Sequence, residues 1–302
     1  MLLALDVGNS SISIGVFRDC GDTAPEDMIS INGTNNDADS CSDAANMNLQ
    51  KFASAMVCSS KISVSLARCA DEYSILFLNV LTMHKVDINS IDGVIISSVV
   101  PQLTAVIREA SKKIVNPDSP IYTVGPGIKT GLNIKVDDTS QLGSDIVANT
   151  VAAIAVVQKA PMIIIDAGTA TTITAVDKNQ TMTGTIIIPG IRISLDALVN
   201  SAAMIPFVSI DEKRSNFPVI GKNTQESIVS GIINGHSFII DGFIAKIRSE
   251  SGMENASVIA TGGLANVILY NCKEKTEIYP NLTLFGLMKI YDLNRKKKNN
   301  PR

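Results

Sequence analysis

The stretch Leu2-Leu3-Ala4-Leu5-Asp6-Val7-Gly8-Asn9-Ser10-Ser11 opens the chain, and it recurs as Met162-Ile163-Ile164-Ile165-Asp166-Ala167-Gly168-Thr169-Ala170-Thr171. In each copy four apolar residues precede an Asp. A small apolar residue, a Gly and a run of amide or hydroxyl side chains follow, and the chain continues directly into a second apolar strand pattern. Because an internal repeat determines the architecture of a chain, the sequence predicts two duplicated domains, each opened by strand, turn and strand.

The chemistry of the repeated Asp-x-Gly turn favours phosphate binding. An Asp at the end of a buried strand places a carboxylate at the rim of a sheet, where Mg²⁺ can share oxygen ligands with a nucleotide. The Gly lets the backbone approach phosphate oxygens, and the turn amides and hydroxyls can donate hydrogen bonds to them. Asp and Gly are common in ordinary turns too, so a single copy would not be specific. The prediction of two turns that clamp the phosphates rests on the presence of two aligned copies.

The apolar patterning along the chain predicts an α/β fold, because strand patterns alternate with helical ones throughout. We expect a largely parallel sheet in each half, within domains at residues 1–159 and 160–302. Short strands are predicted at 2–5, 12–17, 93–99, 121–124, 162–165, 173–176, 185–188 and 258–260. Helices are predicted at 66–81, 101–114, 142–157, 191–204, 224–250 and 282–293.

Residues 19–60 differ in composition from the rest of the first half. The stretch from residue 19 to residue 50 is rich in Asp, Asn, Ser and Thr. It reads as a polar surface insertion around one short strand near Met28–Ile31.

The bulk composition narrows the class of protein. The chain has 302 residues, 45% hydrophobic and 18% charged, with a formal net charge of -3 and a pI near 5.5. This balance supports a sizeable core and predicts neither a nucleic-acid partner nor a membrane segment. The five cysteines include no CxxC pair, and two histidines are too few for a zinc cage. We therefore expect a cytoplasmic protein without a disulfide framework.

Several motifs in order resemble those of type III pantothenate kinases. They begin with the Asp6-Val7-Gly8-Asn9-Ser10 start, the Gly125–Gly131 loop (Gly-Pro-Gly-Ile-Lys-Thr-Gly) and the second turn from Asp166 to Thr172. Further stretches match in sequence order: Val94–Pro101, Ile188–Leu195, Ile220–Thr224, Ala260–Ala265 and Leu282–Leu287. Together they cover nearly everything outside residues 19–60. The resemblance implies two actin-like (ribonuclease H-like) domains with an ATP cleft between them.

The resemblance also implies an activity and a set of site residues. Members of that family transfer the γ-phosphate of ATP to pantothenate, giving 4'-phosphopantothenate for coenzyme A synthesis, as homodimers that need Mg²⁺ and a monovalent cation (K⁺ or NH₄⁺). By motif position, Asp145 is the expected general base and Asp166 the expected cation ligand. The expected ATP contacts are Asp6, Val7, Gly8, Asn9, Ser10, Ser11, Ile12, Ser13 and Thr169. The expected pantothenate contacts are Val136, Gly143, Ser144, Asp145, Ile146 and Thr224.

The residues themselves leave two interpretations of Asp145 open. A carboxylate in the first turn of the 142–157 helix can orient a hydroxyl beyond the helix end. The same carboxylate can also simply complement the helix dipole.

Two departures from the family pattern fall on the acceptor side. Ile146 stands where the family has an Arg, and Val136 stands where it has a Tyr, so a planar charged fork and a phenol are missing. Three hypotheses follow. The protein is a pantothenate kinase whose lost contacts come from elsewhere, with Lys129, Lys135 and Arg192 as candidates. Alternatively, it phosphorylates a related small hydroxy acid, or it is a nucleotide-binding regulator without kinase turnover.

Overall fold

The computed structural model describes residues 1–18, 50, 52–201, 206, 208–210, 216–250 and 252–295. The chain forms two compact units, each discontinuous in sequence. The first unit contains Met1–Gly131, Ser140–Gln158 and Thr283–Arg302, and the second contains Leu132–Thr139 and Lys159–Leu282. The sequence prediction of two consecutive domains, 1–159 and 160–302, did not include the return of the C-terminal segment to the first unit.

The described residues form strands and helices that follow one another along the chain. The strands are β1 Leu2–Val7, β2 Ser11–Phe17, β3 Met56–Ser63, β4 Gly93–Ser98, β5 Ile121–Thr123, β6 Asn133–Ile134, β7 Met162–Ala167, β8 Ala170–Val176, β9 Thr181–Pro189, β10 Ser257–Thr261 and β11 Glu277–Ile278. The helices are α1 Ala70–Met83, α2 Pro101–Ile114, α3 Ser144–Val157, α4 Ile191–Ser201, α5 Thr224–Arg248, α6 Ala265–Leu269 and α7 Leu282–Asn294.

The first unit is built on a five-stranded sheet in the order β3-β2-β1-β4-β5. The pairs β1–β2 and β2–β3 are antiparallel, and the pairs β1–β4 and β4–β5 are parallel. One face packs on α1 and α2, in a core that contains Leu5, Ile14, Phe77 and Ile107. Helix α7 lies on the other face, where Phe17 and Phe285 meet edge to face with ring centroids 6.2 Å apart.

Strand β3 corrects the predicted extent of the polar insertion. Residues 56–60, assigned to the 19–60 insertion, belong to β3, which pairs with β2 from Met56 to Ser63. Polar residues such as Ser59 and Ser63 are exposed on one face of this edge strand, so the segment has too little apolar character to predict a strand. The predicted strand at Met28–Ile31 lies outside the described residues.

The second unit repeats the pattern in a six-stranded sheet with the order β11-β10-β7-β8-β9-β6. The pairs β7–β8 and β8–β9 are antiparallel, whereas β7–β10, β10–β11 and β6–β9 are parallel. Its core joins sheet residues such as Ile163 and Ile165 to Leu195 of α4, Ile233 of α5 and Ile268 of α6. Both sheets are therefore mixed: each contains the expected parallel pairs, but it also contains two antiparallel pairs, the strand-turn-strand pair of the repeat and the pair formed by the next strand.

Helix α5 is, within the described part of the chain, the one helix long and apolar enough to span a bilayer. Half of its most apolar window is buried inside the protein, and Ile233 and Ile240 pack into the core of the second unit. A helix that packs one face into a core passes the same test of length and apolar composition.

Candidate active site

The first Asp-x-Gly turn connects β1 to β2. Asp6 pairs across the hairpin with Ser13, and Val7 pairs with Ile12, which leaves four residues from Gly8 to Ser11 in the turn. The Gly8 amide donates to the Ser11 carbonyl at 3.0 Å and closes the turn. The Val64 amide, just beyond β3, donates to the Ser10 carbonyl at 3.1 Å. The turn is therefore held both by its own hairpin and by the neighbouring edge strand.

The second turn, between β7 and β8, is one residue shorter. Asp166 pairs with Thr172 and Ala167 pairs with Thr171, so only three residues, Gly168 to Ala170, form the turn. The Gly168 amide donates to the Ala170 carbonyl at 3.1 Å. The two strands that carry the Asp residues are equivalent, but the residues after each Gly are not aligned one to one. The sequence alignment of the two copies places Ile173 opposite Ser13, but in the structure Thr172 takes the position of Ser13 because it pairs with Asp166.

Two glycines let other segments pack tightly on this second turn. The Gly190 amide, at the start of α4, donates to the Thr169 carbonyl at 3.1 Å, and a side chain on Gly190 would collide with the Thr169 backbone. Gly262, after β10, has φ +98° and lies against the Ala167 backbone, where a side chain would come within 2.5 Å. Gly190 and Gly262, which lie in the family-like stretches Ile188–Leu195 and Ala260–Ala265, thus pack against the turn, a role that sequence spacing does not reveal.

A buried histidine also contacts the second turn. The Thr171 hydroxyl and the His236 Nε2 lie 2.9 Å apart, with Thr171 fully buried. Burial lowers the pKa of His236 below its ordinary value, so the neutral ring is favoured. The structure thus places His236 against Thr171, the second residue of β8.

In the first unit, a polar row leads from the first turn to α3. Ser97 of β4 pairs in register with Asp6 of β1, and Asp6 pairs with Ser13. The Ser97 hydroxyl lies 2.9 Å from the Ser144 hydroxyl, which also accepts a hydrogen bond from the Ser98 amide at 2.9 Å. Residue 144 begins α3, so these contacts tie the N-terminus of α3 to the end of the sheet that carries Asp6. No motif or spacing in the sequence indicates this connection.

Asp145 follows directly in the first turn of α3. Its Oδ1 accepts a hydrogen bond from the Ile146 amide at 2.8 Å. Burial raises the pKa of Asp145, and this hydrogen bond lowers it by a smaller amount. A desolvated carboxylate with a raised pKa has increased affinity for a proton, which suits a base. The contact with the helix amide is also what a dipole-complementing residue would make, so the structure accommodates both interpretations.

The remaining expected acceptor residues lie in different settings. Ile146 is 5% exposed and packs in the interior, and the Ser144 hydroxyl is engaged within the protein. Val136 is half-buried beyond β6, in the second unit. Thr224 is exposed as the first residue of α5, after the N-cap Asn223, whose side chain accepts from the Glu226 amide at 2.8 Å. Each expected contact with the acceptor stays a prediction.

The expected cation ligands are all oxygen donors. Among the described residues no group of three His, Cys, Asp or Glu side chains could enclose a metal. Asp166 pairs with Thr172 on one side and with Thr261 on the other, and Asp6 has serines at the equivalent positions. Carboxylate and hydroxyl oxygens fit hard cations that complete their coordination with phosphate oxygens and water, so the donor set fits Mg²⁺ and a monovalent cation.

Solved structures similar to this chain identify the fold. A protein from Sinorhizobium meliloti assigned as a 2-dehydro-3-deoxygalactonokinase superimposes with a TM-score of 0.55 at 10% identity, covering 99% of each chain. A protein from Campylobacter jejuni assigned to the Baf family of transcriptional activators gives 0.51 at 15% identity, covering 97% of this chain and 98% of its own. The fold is the actin-like, sugar-kinase type of α/β fold, which confirms the sequence prediction.

Sequence comparison is more specific than the fold. The type III pantothenate kinase of Geotalea daltonii is 35% identical over 98% of this chain and 100% of its own length. That of Shouchella clausii is 35% identical with the same coverage. A family model described as type III pantothenate kinase matches residues 43–246, from before β3 to near the end of α5. With both Asp-x-Gly turns and Asp145 in their expected elements, the chain belongs to the type III pantothenate kinase family.

Proposed function

We propose that the protein transfers the γ-phosphoryl group of ATP to the hydroxyl group of pantothenate, giving ADP and 4'-phosphopantothenate, the first step of coenzyme A synthesis. Kinase activity follows from the family, whose named relatives match the whole chain. The observation that carries the proposal is the hydrogen-bonded link from Ser97 to Ser144. It holds a desolvated carboxylate, Asp145, at the edge of the sheet that also presents the first phosphate turn.

The first turn is the proposed principal phosphate site. The proposed site consists of the turn residues Gly8, Asn9, Ser10 and Ser11 and the flanking strand residues Asp6, Val7, Ile12 and Ser13. The amide and hydroxyl groups beyond Asp6 would donate to phosphate oxygens. Thr169 of the second turn is a further proposed ATP contact. When bound, Mg²⁺ would neutralise charge on the phosphate oxygens, and Asp6 is the carboxylate that would hold it through oxygen ligands.

Asp145 is the proposed general base. Its carboxylate would accept the proton of the pantothenate hydroxyl while that oxygen forms a bond to the γ-phosphorus and the bond from this phosphorus to the ADP oxygen breaks. Phosphoryl transfer depends mainly on positioning and charge stabilisation. Asp145 would therefore act chiefly by orienting the hydroxyl, for which its hydrogen bond to the Ile146 amide fixes the carboxylate.

Asp166 is the proposed ligand of the monovalent cation. Its neighbours in register, Thr172 and Thr261, offer neutral hydroxyl oxygens, which with the carboxylate make an all-oxygen donor set for a hard cation. The choice of a monovalent ion at this position follows the family motif. The equivalent residues beside Asp6 in the first unit differ, because the Ser97 hydroxyl is hydrogen-bonded to Ser144 of α3.

The acceptor assignment has to explain Ile146 and Val136. Ile146 is buried, so its side chain contributes packing of α3 rather than an open binding surface. Lys129, Lys135 and Arg192 are exposed cations and remain the proposed replacements for the missing Arg. Phosphorylation of a related small hydroxy acid is the second candidate function, since the loss of a charged fork changes what the site can grip.

A homodimer in the cytoplasm is the proposed state of the enzyme. The second unit exposes several large apolar side chains in this single chain, including Ile187 at 63%, Ile220 at 83% and Phe238 at 54%, as a subunit interface would. The described cysteines Cys58, Cys69 and Cys272 are free thiols, which suits a reducing compartment.

Pantothenate-dependent ADP release by the purified protein, with Mg²⁺ and K⁺, tests the function. The comparison acceptors are pantetheine, a small hydroxy acid without the amide, and no acceptor. The proposal predicts turnover that requires pantothenate and a product whose mass is increased by one phosphoryl group. Turnover only with another acceptor supports the second candidate, and ATP binding without turnover on any acceptor would contradict both kinase assignments.

A further inference from the structure

A lysine that the family motifs did not single out lies beside the first turn. Lys61 of β3 pairs directly with Ser13 of β2, and Ser63 pairs with Ser11. Directly opposed residues of an antiparallel pair place their side chains on the same face, about 5 Å apart at Cβ. Ser13 is in turn opposed to Asp6, so Asp6, Ser13 and Lys61 point to one side of the sheet in adjacent strands.

The opposite face of β3 is the one that packs inward. Ile62 and Cys58 join the core of the first unit, whereas Lys61 and Ser63 are exposed. The Val64 amide, one residue beyond β3, holds the Ser10 carbonyl of the turn at 3.1 Å. The end of β3 is thereby fixed to the turn, and the register between Lys61 and the turn cannot slip without breaking this contact.

In the second unit, β9 places no cation at the register position that corresponds to Lys61. Thr172, which corresponds to Ser13, is opposed to Ile187, and Ala170, which corresponds to Ser11, is opposed to Pro189. The duplicated hairpins thus present a lysine and a serine in the first unit and an isoleucine and a proline in the second. The two hairpins therefore share their strand pairing but differ in these side chains, so any function of Lys61 belongs to the first unit alone.

We propose that Lys61 binds a phosphate oxygen of the nucleotide at the first turn, an inference that rests on the proposed function. The lysine ammonium is a compact charge on a flexible four-carbon stem, which lets it reach past its cross-strand neighbour and pair with phosphate as a point charge. There it offsets the negative charge that the β- and γ-phosphates bring next to the Asp6 carboxylate.

The nearby cation Arg68 has a different task. Its Nη1 donates to the Ser63 carbonyl at 2.7 Å, and its guanidinium lies 5.9 Å from the centre of the Tyr73 ring. Arg68 is engaged in holding the chain after β3 against α1. Lys61 is an exposed cation on the face of the sheet that also carries Asp6 and Ser13.

Nucleotide affinity measured by calorimetry without any acceptor tests Lys61 independently of the transfer reaction. The variants are Lys61→Met and Lys61→Arg, with Lys112→Met as the matched control, because Lys112 pairs with Glu109 on the exposed side of α2. Loss of one charged hydrogen bond predicts a Kd for ATP raised about tenfold in Lys61→Met, with adenosine affinity unchanged. Lys61→Arg should keep most of the affinity, Lys112→Met should match the unmodified protein, and the difference should shrink at high salt.

Three outcomes have distinct meanings. If Lys61→Met binds ATP as tightly as the unmodified protein does while pantothenate is still phosphorylated, the role of Lys61 is refuted and the proposed function stands. If Lys61→Met weakens ATP binding but the unmodified protein phosphorylates no acceptor, the role of Lys61 is supported and the proposed function fails. Equal weakening of adenosine binding, with circular dichroism unchanged, would also refute a phosphate contact.

Discussion

The two Asp-x-Gly turns share a scaffold and differ in what surrounds it. The first has four residues between its paired strand ends, a lysine on the neighbouring strand, and a hydrogen-bonded link through Ser97 to the helix that carries Asp145. The second has three residues, neutral hydroxyls beside its Asp, and two glycine contacts that hold it rigidly. The two copies therefore share a frame, whereas the proposed phosphate binding and chemistry fall to the first copy and the proposed cation binding to the second.

Replacing Asp145, in the first turn of α3, should have the largest effect on activity. Asp145→Asn keeps an oxygen that can accept from the Ile146 amide but cannot take a proton, so pantothenate phosphorylation should fall at least about 100-fold with the Kd for ATP unchanged. Steady-state rates and calorimetry measure the two effects. An activity loss below about threefold would remove Asp145 from the catalytic role.

The same variant has an expected stability at neutral pH. Burial raises the pKa of Asp145 in the folded protein, so its ionised form carries a folding cost above that pKa and none below the ordinary carboxyl value. Asparagine removes this cost, and the Tm of Asp145→Asn at pH 7 should equal or exceed that of the unmodified protein. A lower Tm would show that the carboxylate is structural.

Disturbing the support of the second turn should destabilise the protein without touching the first. Gly262→Ala forces a side chain into a positive-φ position against the Ala167 backbone, at a cost of about 3 kcal/mol. Gly184→Ala in β9 is the control, since its added methyl group meets open space. Urea unfolding measures both variants, and an equal stability for the two would contradict the tight packing at Gly262.

The buried histidine gives the second turn a pH dependence that the first should lack. Because burial lowers the pKa of His236, the unfolded chain takes up a proton more readily, and stability should fall as the pH drops through the ordinary histidine range. His236→Gln retains a polar group for Thr171 but cannot titrate, so its stability should fall less between pH 7 and pH 5. If the stability of both proteins fell equally between pH 7 and pH 5, His236 would not be the cause of the pH dependence.

Much of the fold was predictable, because its signals are local. The apolar runs of β1 and β7 and the proline that starts α2 are such signals, and α2 begins and ends where predicted, at Pro101 and Ile114. Helix α1 begins later than predicted, at residue 70, because the Glu72 side chain accepts from the Cys69 amide at 2.8 Å and caps it there. Strand β3 was not predicted because it is an edge strand with polar residues on its outer face.

Only those site residues that belong to a recognisable sequence motif could be predicted. The two Asp residues and Asp145 lie at the predicted strand ends and helix start, although their roles stay predictions. The Ser97–Ser144 contact, the packing of Gly190 and Gly262, and the alignment of Lys61 with Ser13 join residues that are distant in sequence. No periodicity or spacing encodes such contacts, since they depend on strand order and register.

The division of labour between the turns is tested most directly by the cation dependence of pantothenate phosphorylation in Asp6→Asn and Asp166→Asn. We predict that Asp166→Asn raises the K⁺ concentration for half-maximal rate about tenfold or more and leaves the Mg²⁺ dependence unchanged, because it removes the only carboxylate expected at that ion. Asp6→Asn should shift the Mg²⁺ dependence alone. If both variants shift the same cation, or if neither shifts K⁺, the two turns do not have separate functions.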